Sequence, residues 1–141
     1  MRRALTNRDA PAGQVVKATV LVVDDDQDSR DLLGTLLQKR GFTVGTAGSG
    51  TECLQALDGQ DAEAVVVLTD VEMPGMTGLE LCGLLRERYP NVIAVVMSGR
   101  ATDAVAAQAK ESGAFTFLPK PIGINVLERV LKEAMGTVHA A

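Results

Sequence analysis

Cysteine is scarce in this chain: Cys53 and Cys82 are the only two among 141 residues. Two cysteines cannot build a disulfide framework, and they do not stand at metal-ligand spacing. Both fall in segments that read as helices, where a free Cys serves as a small core residue. Long apolar runs are missing as well. No stretch reaches the roughly 18 residues of a membrane span, and residues 1–17 lack the apolar centre of a signal peptide. A cytoplasmic protein that does not enter a membrane is expected. An excess of basic charge is also absent, with 14 Lys and Arg against 18 Asp and Glu and a net charge of −4. A nucleic-acid surface needs clustered Lys and Arg, so none is expected to be bound directly. The charge is unevenly spread. Residues 1–17 carry four basic residues and one acid, and mix Pro, Gly and polar residues without periodicity, as a solvated arm or linker does.

What is present is the composition of one globular domain, 46% hydrophobic and 23% charged. The centre of the chain is Val65-Val66-Val67-Leu68-Thr69-Asp70 followed by Val71-Glu72-Met73-Pro74-Gly75-Met76-Thr77-Gly78. A continuous Val/Leu run is how a parallel strand buried on both faces reads. Ligands of open α/β sheets sit just beyond the carboxyl ends of such strands, where Asp70 falls. Taken alone, Asp70 reads more simply as the start of a turn.

Four further apolar segments change that balance. Residues 19–23 form a first strand ending in Asp24-Asp25-Asp26, and residues 28–40 a helix with Leu32, Leu33, Leu36 and Leu37 on one face. A short second strand covers 42–47. Ser49-Gly50-Thr51-Glu52 is a capping box for a helix closing at Asp58-Gly59, and Thr77-Gly78-Leu79-Glu80 is another, for a helix that Tyr89-Pro90 stops. A fourth strand at 92–97 ends in Ser98-Gly99, and an Ala-rich helix covers 102–112. A fifth strand at 115–118 ends in Pro119-Lys120-Pro121. The last helix, at 122–135, places Ile122, Val126, Val130 and Ala134 on one face. Five β–α repeats with short connections imply an α/β fold, a parallel sheet with helices on both faces.

In such a sheet Asp24, Asp25, Asp70, Ser98 and Lys120 lie along one edge. Converging carboxylates repel one another and need a cation, and oxygen-only ligands select a hard ion, Mg²⁺ foremost. A hydroxyl and an ammonium beside them suit phosphoryl oxygens, and a carboxylate can itself accept a phosphoryl group. The residues therefore point to Mg²⁺-dependent phosphoryl transfer onto an aspartate.

Val-Val-Asp-Asp, Thr-Asp-Val-Glu-Met-Pro-Gly-Met-Thr-Gly, Met-Ser-Gly and Lys-Pro, each after its own strand, resemble the receiver domain of two-component response regulators in bacterial signalling. The resemblance covers residues 18–136, leaving the arm at 1–17 and a tail at 137–141. It implies a flavodoxin-like five-stranded sheet in the order 2-1-3-4-5, flanked by five helices. It implies that Asp70 is the phosphoacceptor, and that Asp24, Asp25, Asp70 and the backbone carbonyl of Glu72 hold Mg²⁺. Lys120 would contact the phosphoryl group, Ser98 would be the switch hydroxyl, and Phe117 the aromatic residue whose rotamer follows it. The bond before Pro121 would be cis. Ser98 stands where Thr is commoner, and Phe117 cannot donate the hydrogen bond of a Tyr. Glu72, Gly99 and Arg100 occupy pocket-tuning positions: Gly99 leaves room beside the hydroxyl, and Glu72 and Arg100 are expected to pair across the pocket mouth.

The function so implied is a phosphorylation-dependent signalling switch. The chain would catalyse its own aspartyl phosphorylation and dephosphorylation without turning over an external substrate. His139, the sole histidine, lies in the tail, so the phosphohistidine must come from a histidine kinase or histidine phosphotransfer protein. The Ala-rich helix, with Val105 its only large apolar residue, buries little area and should dock weakly, which suits a bistable element. The 98–135 face would change on phosphorylation, and a homodimer through 102–135 is one outcome. A downstream effector or an output domain would read the change, the chain being a single-domain regulator or a piece of a larger regulator or hybrid kinase.

Three rivals fit less well. A phosphatase of the haloacid dehalogenase type would match its Asp-x-Asp motif to Asp24 and Asp26, but carries Thr or Val where Asp28 stands and leaves Asp70 unexplained. A flavin or nucleotide carrier needs a Gly-rich loop after the first strand, where three aspartates stand instead. A receiver that binds partners without being phosphorylated remains the runner-up, although such proteins usually lose an acidic residue or the Lys.

Overall fold

The computed structural model describes residues 20–58, 66–100 and 102–139, with side chains to residue 136. The expected arm at 1–17, Thr19, residues 59 and 64–65, and the side chains of 137–141 lie outside the described residues. The strands are β1 (Val20–Val23), β2 (Val44–Ala47), β3 (Val66–Asp70), β4 (Ile93–Ser98) and β5 (Thr116–Pro119). The helices are α1 (Gln27–Lys39), α2 (Gly50–Asp58), α3 (Gly78–Arg88), α4 (Asp103–Glu111) and α5 (Ile124–His139). All strand pairs are parallel and the sheet order is β2-β1-β3-β4-β5, the flavodoxin-like arrangement.

The apolar runs conceal a period of two, because successive strand side chains point to opposite faces. Val20, Val22 and Leu68 pack with Leu37 of α1 and Leu127 and Leu131 of α5. Leu21, Val23 and Val67 pack on the other face with Cys53 and Leu57 of α2 and with Leu81 and Leu85 of α3. α4 adds one fully buried side chain, Ala109, with Val105 packed only in part. Burial near 25 cal/mol per Å² of apolar surface makes that a thin attachment beside the leucine-bearing helices.

Helix starts follow local chemistry. Thr77 and Glu80 form a reciprocal capping box on α3. The box expected on α2 is half realised: Ser49 Oγ accepts from the Glu52 amide, but the Glu52 carboxylate reaches back to the Gly48 amide. Three other expectations are corrected. The leucines of α1 do not share a buried face, since Leu37 is fully buried whereas Leu32 is 62% exposed. Residues 32, 33, 36 and 37 cover an arc of about 140° at 3.6 residues per turn, and Gly34 lies against Val44 and Thr46 of β2, which turns Leu32 to solvent. On α5 the buried stripe is Leu127, Leu131 and Ala134, and Val126 is exposed; the larger leucines take the inward positions. α5 also begins at Ile124 and runs through Gly136, which keeps a negative φ and so does not end the helix.

Candidate functional site

Strand register decides what meets at the carboxyl edge. Val23 pairs with Thr69, Asp70 with Met97, and Ser98 with Pro119, so the residues that follow converge. Asp24 and Asp70 are buried and Ser98 fully so, while Asp25 is exposed. Asp24, Asp25 and Asp70 each offer a carboxylate oxygen, all within 4.8 Å of one another. Asp26 stands apart from this group. Its carboxylate caps α1, accepting from the Asp28 amide at 3.1 Å and the Ser29 hydroxyl at 2.9 Å. The acidic triplet thus divides into two ligand candidates and a helix cap. Arg30, to which the sequence reading gave no role, donates to the main-chain oxygen of Asp24 at 2.9 Å and braces the β1–α1 turn. Its spacing from Asp24 carries no pattern, so no local signal announces it.

The β3–α3 loop folds back tightly. The Gly78 amide donates to the Val71 carbonyl, and a β-carbon at Gly78 would overlap the carbonyl oxygen of Asp70. Gly75 turns the loop with φ +76°, a region open to glycine. These glycines bring the start of α3 against the end of β3 and hold Asp70 at the edge.

Lys120 Nζ donates to Oδ2 of Asp70 at 3.1 Å. Oδ1 of the same carboxylate is buried and has no hydrogen-bond partner among the described residues. Burial raises the Asp70 pKa above its ordinary 3.8, and the charges of Asp24 and Glu72 push the same way, while Lys120 pulls it back. An orphaned carboxylate oxygen beside two more carboxylates fits a hard cation, which would satisfy it and offset the repulsion. The Lys120–Pro121 peptide bond is cis.

Ser98 faces Glu72. Its hydroxyl donates to Glu72 Oε2 at 2.6 Å, and the Gly99 amide donates to Oε1 at 3.3 Å. The Arg100 amide in turn donates to Ser98 Oγ at 2.9 Å. Among the described residues no ion pair joins Glu72 to Arg100; the Glu72 carboxylate is drawn inward by two neutral donors. Phe117 is half-buried against the face of the sheet that α4 covers.

The family model of the response regulator receiver domain matches residues 20–132. The chain belongs to that family. Among curated relatives, this receiver domain is 38% identical over 118 residues to the sensor kinase CckA of Brucella abortus, covering 84% of this chain and 12% of that protein. It is 34% identical over 119 residues to the DNA-binding transcriptional regulator NtrC of Escherichia coli, covering 84% of this chain and 25% of the other. The chain therefore spans a quarter or less of either relative. Among solved structures, a receiver domain protein from Clostridium thermocellum superposes with a TM-score of 0.79 at 28% identity, covering 85% of this chain and 95% of that one. The beryllofluoride-activated NtrC4 receiver domain dimer superposes with a TM-score of 0.77 at 27% identity, covering 84% and 97%.

Proposed function

We propose that this receiver domain accepts a phosphoryl group on Asp70 from the phosphohistidine of a histidine kinase or histidine phosphotransfer protein. The observation that carries the reading is the Asp70 carboxylate itself: buried, bound on one oxygen by Lys120, free on the other, and next to Asp24 and Asp25. Asp24, Asp25 and Asp70, with the main-chain carbonyl of Glu72, are the residues that would hold Mg²⁺. When bound, that ion offsets the converging negative charge and polarises the transferring phosphoryl oxygens.

In the transfer, an Asp70 oxygen forms a bond to phosphorus while the bond from phosphorus to the donor imidazole nitrogen breaks, and its electron pair stays on that nitrogen. Lys120 is placed to neutralise a phosphoryl oxygen as the bond forms. Ser98 and the Gly99 amide then supply donors, and Phe117 follows the movement of the Ser98 loop. Phosphorylation favours one of two pre-existing arrangements of the 98–135 face. The thin docking of α4 supports that element as the mobile one. A downstream effector, an attached output domain or a second copy of the chain through the 102–135 face would read the new surface. The setting is cytoplasmic, in keeping with the lack of any helix among the described residues long and apolar enough to cross a membrane.

Intact mass after incubation with acetyl phosphate tests this directly. One phosphoryl adduct is expected on the wild type with Mg²⁺, and none without Mg²⁺ or on Asp70→Asn. An adduct that persists on Asp70→Asn sinks the assignment.

A further inference from the structure

A Ser hydroxyl has one proton to give, and a backbone amide has one. In this receiver domain the Ser98 hydroxyl and the Gly99 amide, which follow the Asp70–Met97 pair at the end of β4, are both already committed. Ser98 Oγ donates to Oε2 of Glu72 at 2.6 Å and the Gly99 amide to Oε1 at 3.3 Å. The Arg100 amide, donating to Ser98 Oγ at 2.9 Å, fills an acceptor site of that hydroxyl and leaves its proton for Glu72. Ser98 is completely buried while Glu72 is only half-buried, so the carboxylate has a route to solvent that the hydroxyl lacks.

We propose that Glu72 is a positioning residue that latches the unphosphorylated state: its two carboxylate oxygens occupy the Ser98 and Gly99 donors and must leave before a phosphoryl group on Asp70 can take them. The inference rests on Asp70 being the phosphoacceptor and adds a competitor to that site. Two effects drive the exchange. A phosphoryl group carries about −1.5 to −2 charge and three acceptor oxygens, so it outbids a carboxylate for the same donors. It also repels Glu72, which has solvent to move into. The latch thus opposes activation when Asp70 is free and yields when it is modified. Among the described residues Glu72 makes no ion pair with Arg100, and both of its carboxylate oxygens are taken by Ser98 and Gly99.

The test is a beryllofluoride titration of the Mg²⁺-saturated wild type, Glu72→Ala, Ser98→Ala and the double variant, followed by the backbone amide resonances of residues 98–100. Without beryllofluoride, Glu72→Ala should shift the Gly99 amide resonance and lower its protection from hydrogen exchange. With it, Glu72→Ala should bind about tenfold more tightly than wild type, the effect of losing one competing charge-assisted hydrogen bond. In the Ser98→Ala background the same substitution should change affinity by about twofold or less, because the shorter of the two contested contacts is gone and only the longer one, from the Gly99 amide at 3.3 Å, remains. Equal affinity of wild type and Glu72→Ala overturns the latch alone. A tenfold gain that persists without Ser98 also overturns it, since plain charge repulsion then suffices. Failure of all four proteins to bind beryllofluoride removes the phosphoacceptor reading and the latch together.

Discussion

Lys120 Nζ and Asp70 Oδ2 are 3.1 Å apart, and the second oxygen of that carboxylate has no hydrogen-bond partner among the described residues although it is buried. The ion pair is therefore one-sided: the protein desolvates a whole carboxylate and satisfies half of it. Single structural pairs are not usually built this way, because an unsatisfied buried acceptor costs about 1–3 kcal/mol. Sites that exchange ligands are.

This arrangement predicts that Asp70→Asn stabilises the metal-free protein near neutral pH. The folded-state pKa of Asp70 is raised from 3.8, first by burial. A raised carboxyl pKa means that the folded state holds its proton more firmly than the unfolded chain. Its favourable contribution is thus complete below pH 3.8 and is lost as pH rises through the folded value. At pH 7 the ionised carboxylate costs stability, which the neutral amide removes. A gain of about 1 kcal/mol is expected, read from urea unfolding in EDTA, and it should vanish as the pH falls below 3.8. A loss of stability at pH 7 would contradict it.

Leu37 and Leu32 make a sharper comparison, since both are leucines of α1 and only one is buried. Leu37→Ala should cost about 2–5 kcal/mol in urea unfolding, the range for deleting a buried leucine side chain. Leu32→Ala should stay within about 0.5 kcal/mol. Similar losses at both sites would mean that the helix docks on the wider leucine face.

That contrast shows where sequence patterns stop. The β–α alternation, the carboxyl edge and its Asp, Ser and Lys residues are legible because strand runs and caps are local signals. The face a helix presents is not local: four leucines on α1 permit more than one rotation, and Gly34 packing on Val44 and Thr46 selects between them. The partner of Glu72 is likewise set by the β3–β4 pairing, which brings Ser98 and Gly99 to it from residues 26 and 27 positions away. Asp26 was visible as an acid but its use as a cap depends on where α1 begins.

Cys53 and Cys82 predict an alkaline weakness. Burial pushes both thiols up to about 12 from 9.0. The folded state keeps both protons where the unfolded chain has lost them, so the stability they protect is whole below pH 9.0 and lost progressively toward pH 12. At one unit above 9.0 the loss should be about 1.4 kcal/mol per thiol. Urea midpoints between pH 8 and 10.5 should fall more steeply for wild type than for Cys53→Ala/Cys82→Ala. Parallel slopes would show that the thiols ionise freely in the folded protein. Under native conditions at pH 8 neither thiol should react with a disulfide reagent until the chain opens.

Asp25 and Asp26 are neighbours with the same side chain, yet the structure places them in different jobs. Asp25 offers an oxygen to the Asp24–Asp70 cluster, whereas Asp26 caps α1 through the Asp28 amide and the Ser29 hydroxyl. Under the proposed function, Mg²⁺ binds only the folded chain and stabilises it by about 2.7 kcal/mol at a hundred times its dissociation constant. Asp25→Asn should remove much of that Mg²⁺-dependent gain and leave stability in EDTA little changed or slightly raised, since a repelling charge is gone. Asp26→Ala should do the reverse, lowering stability in EDTA by about 1 kcal/mol through the lost cap while keeping the increment on adding Mg²⁺. Thermal unfolding of the three proteins in EDTA and across a Mg²⁺ series separates the two roles. If Asp26→Ala loses the Mg²⁺ increment and Asp25→Asn keeps it, the cluster is wrongly assigned, and the cap residue is the ligand.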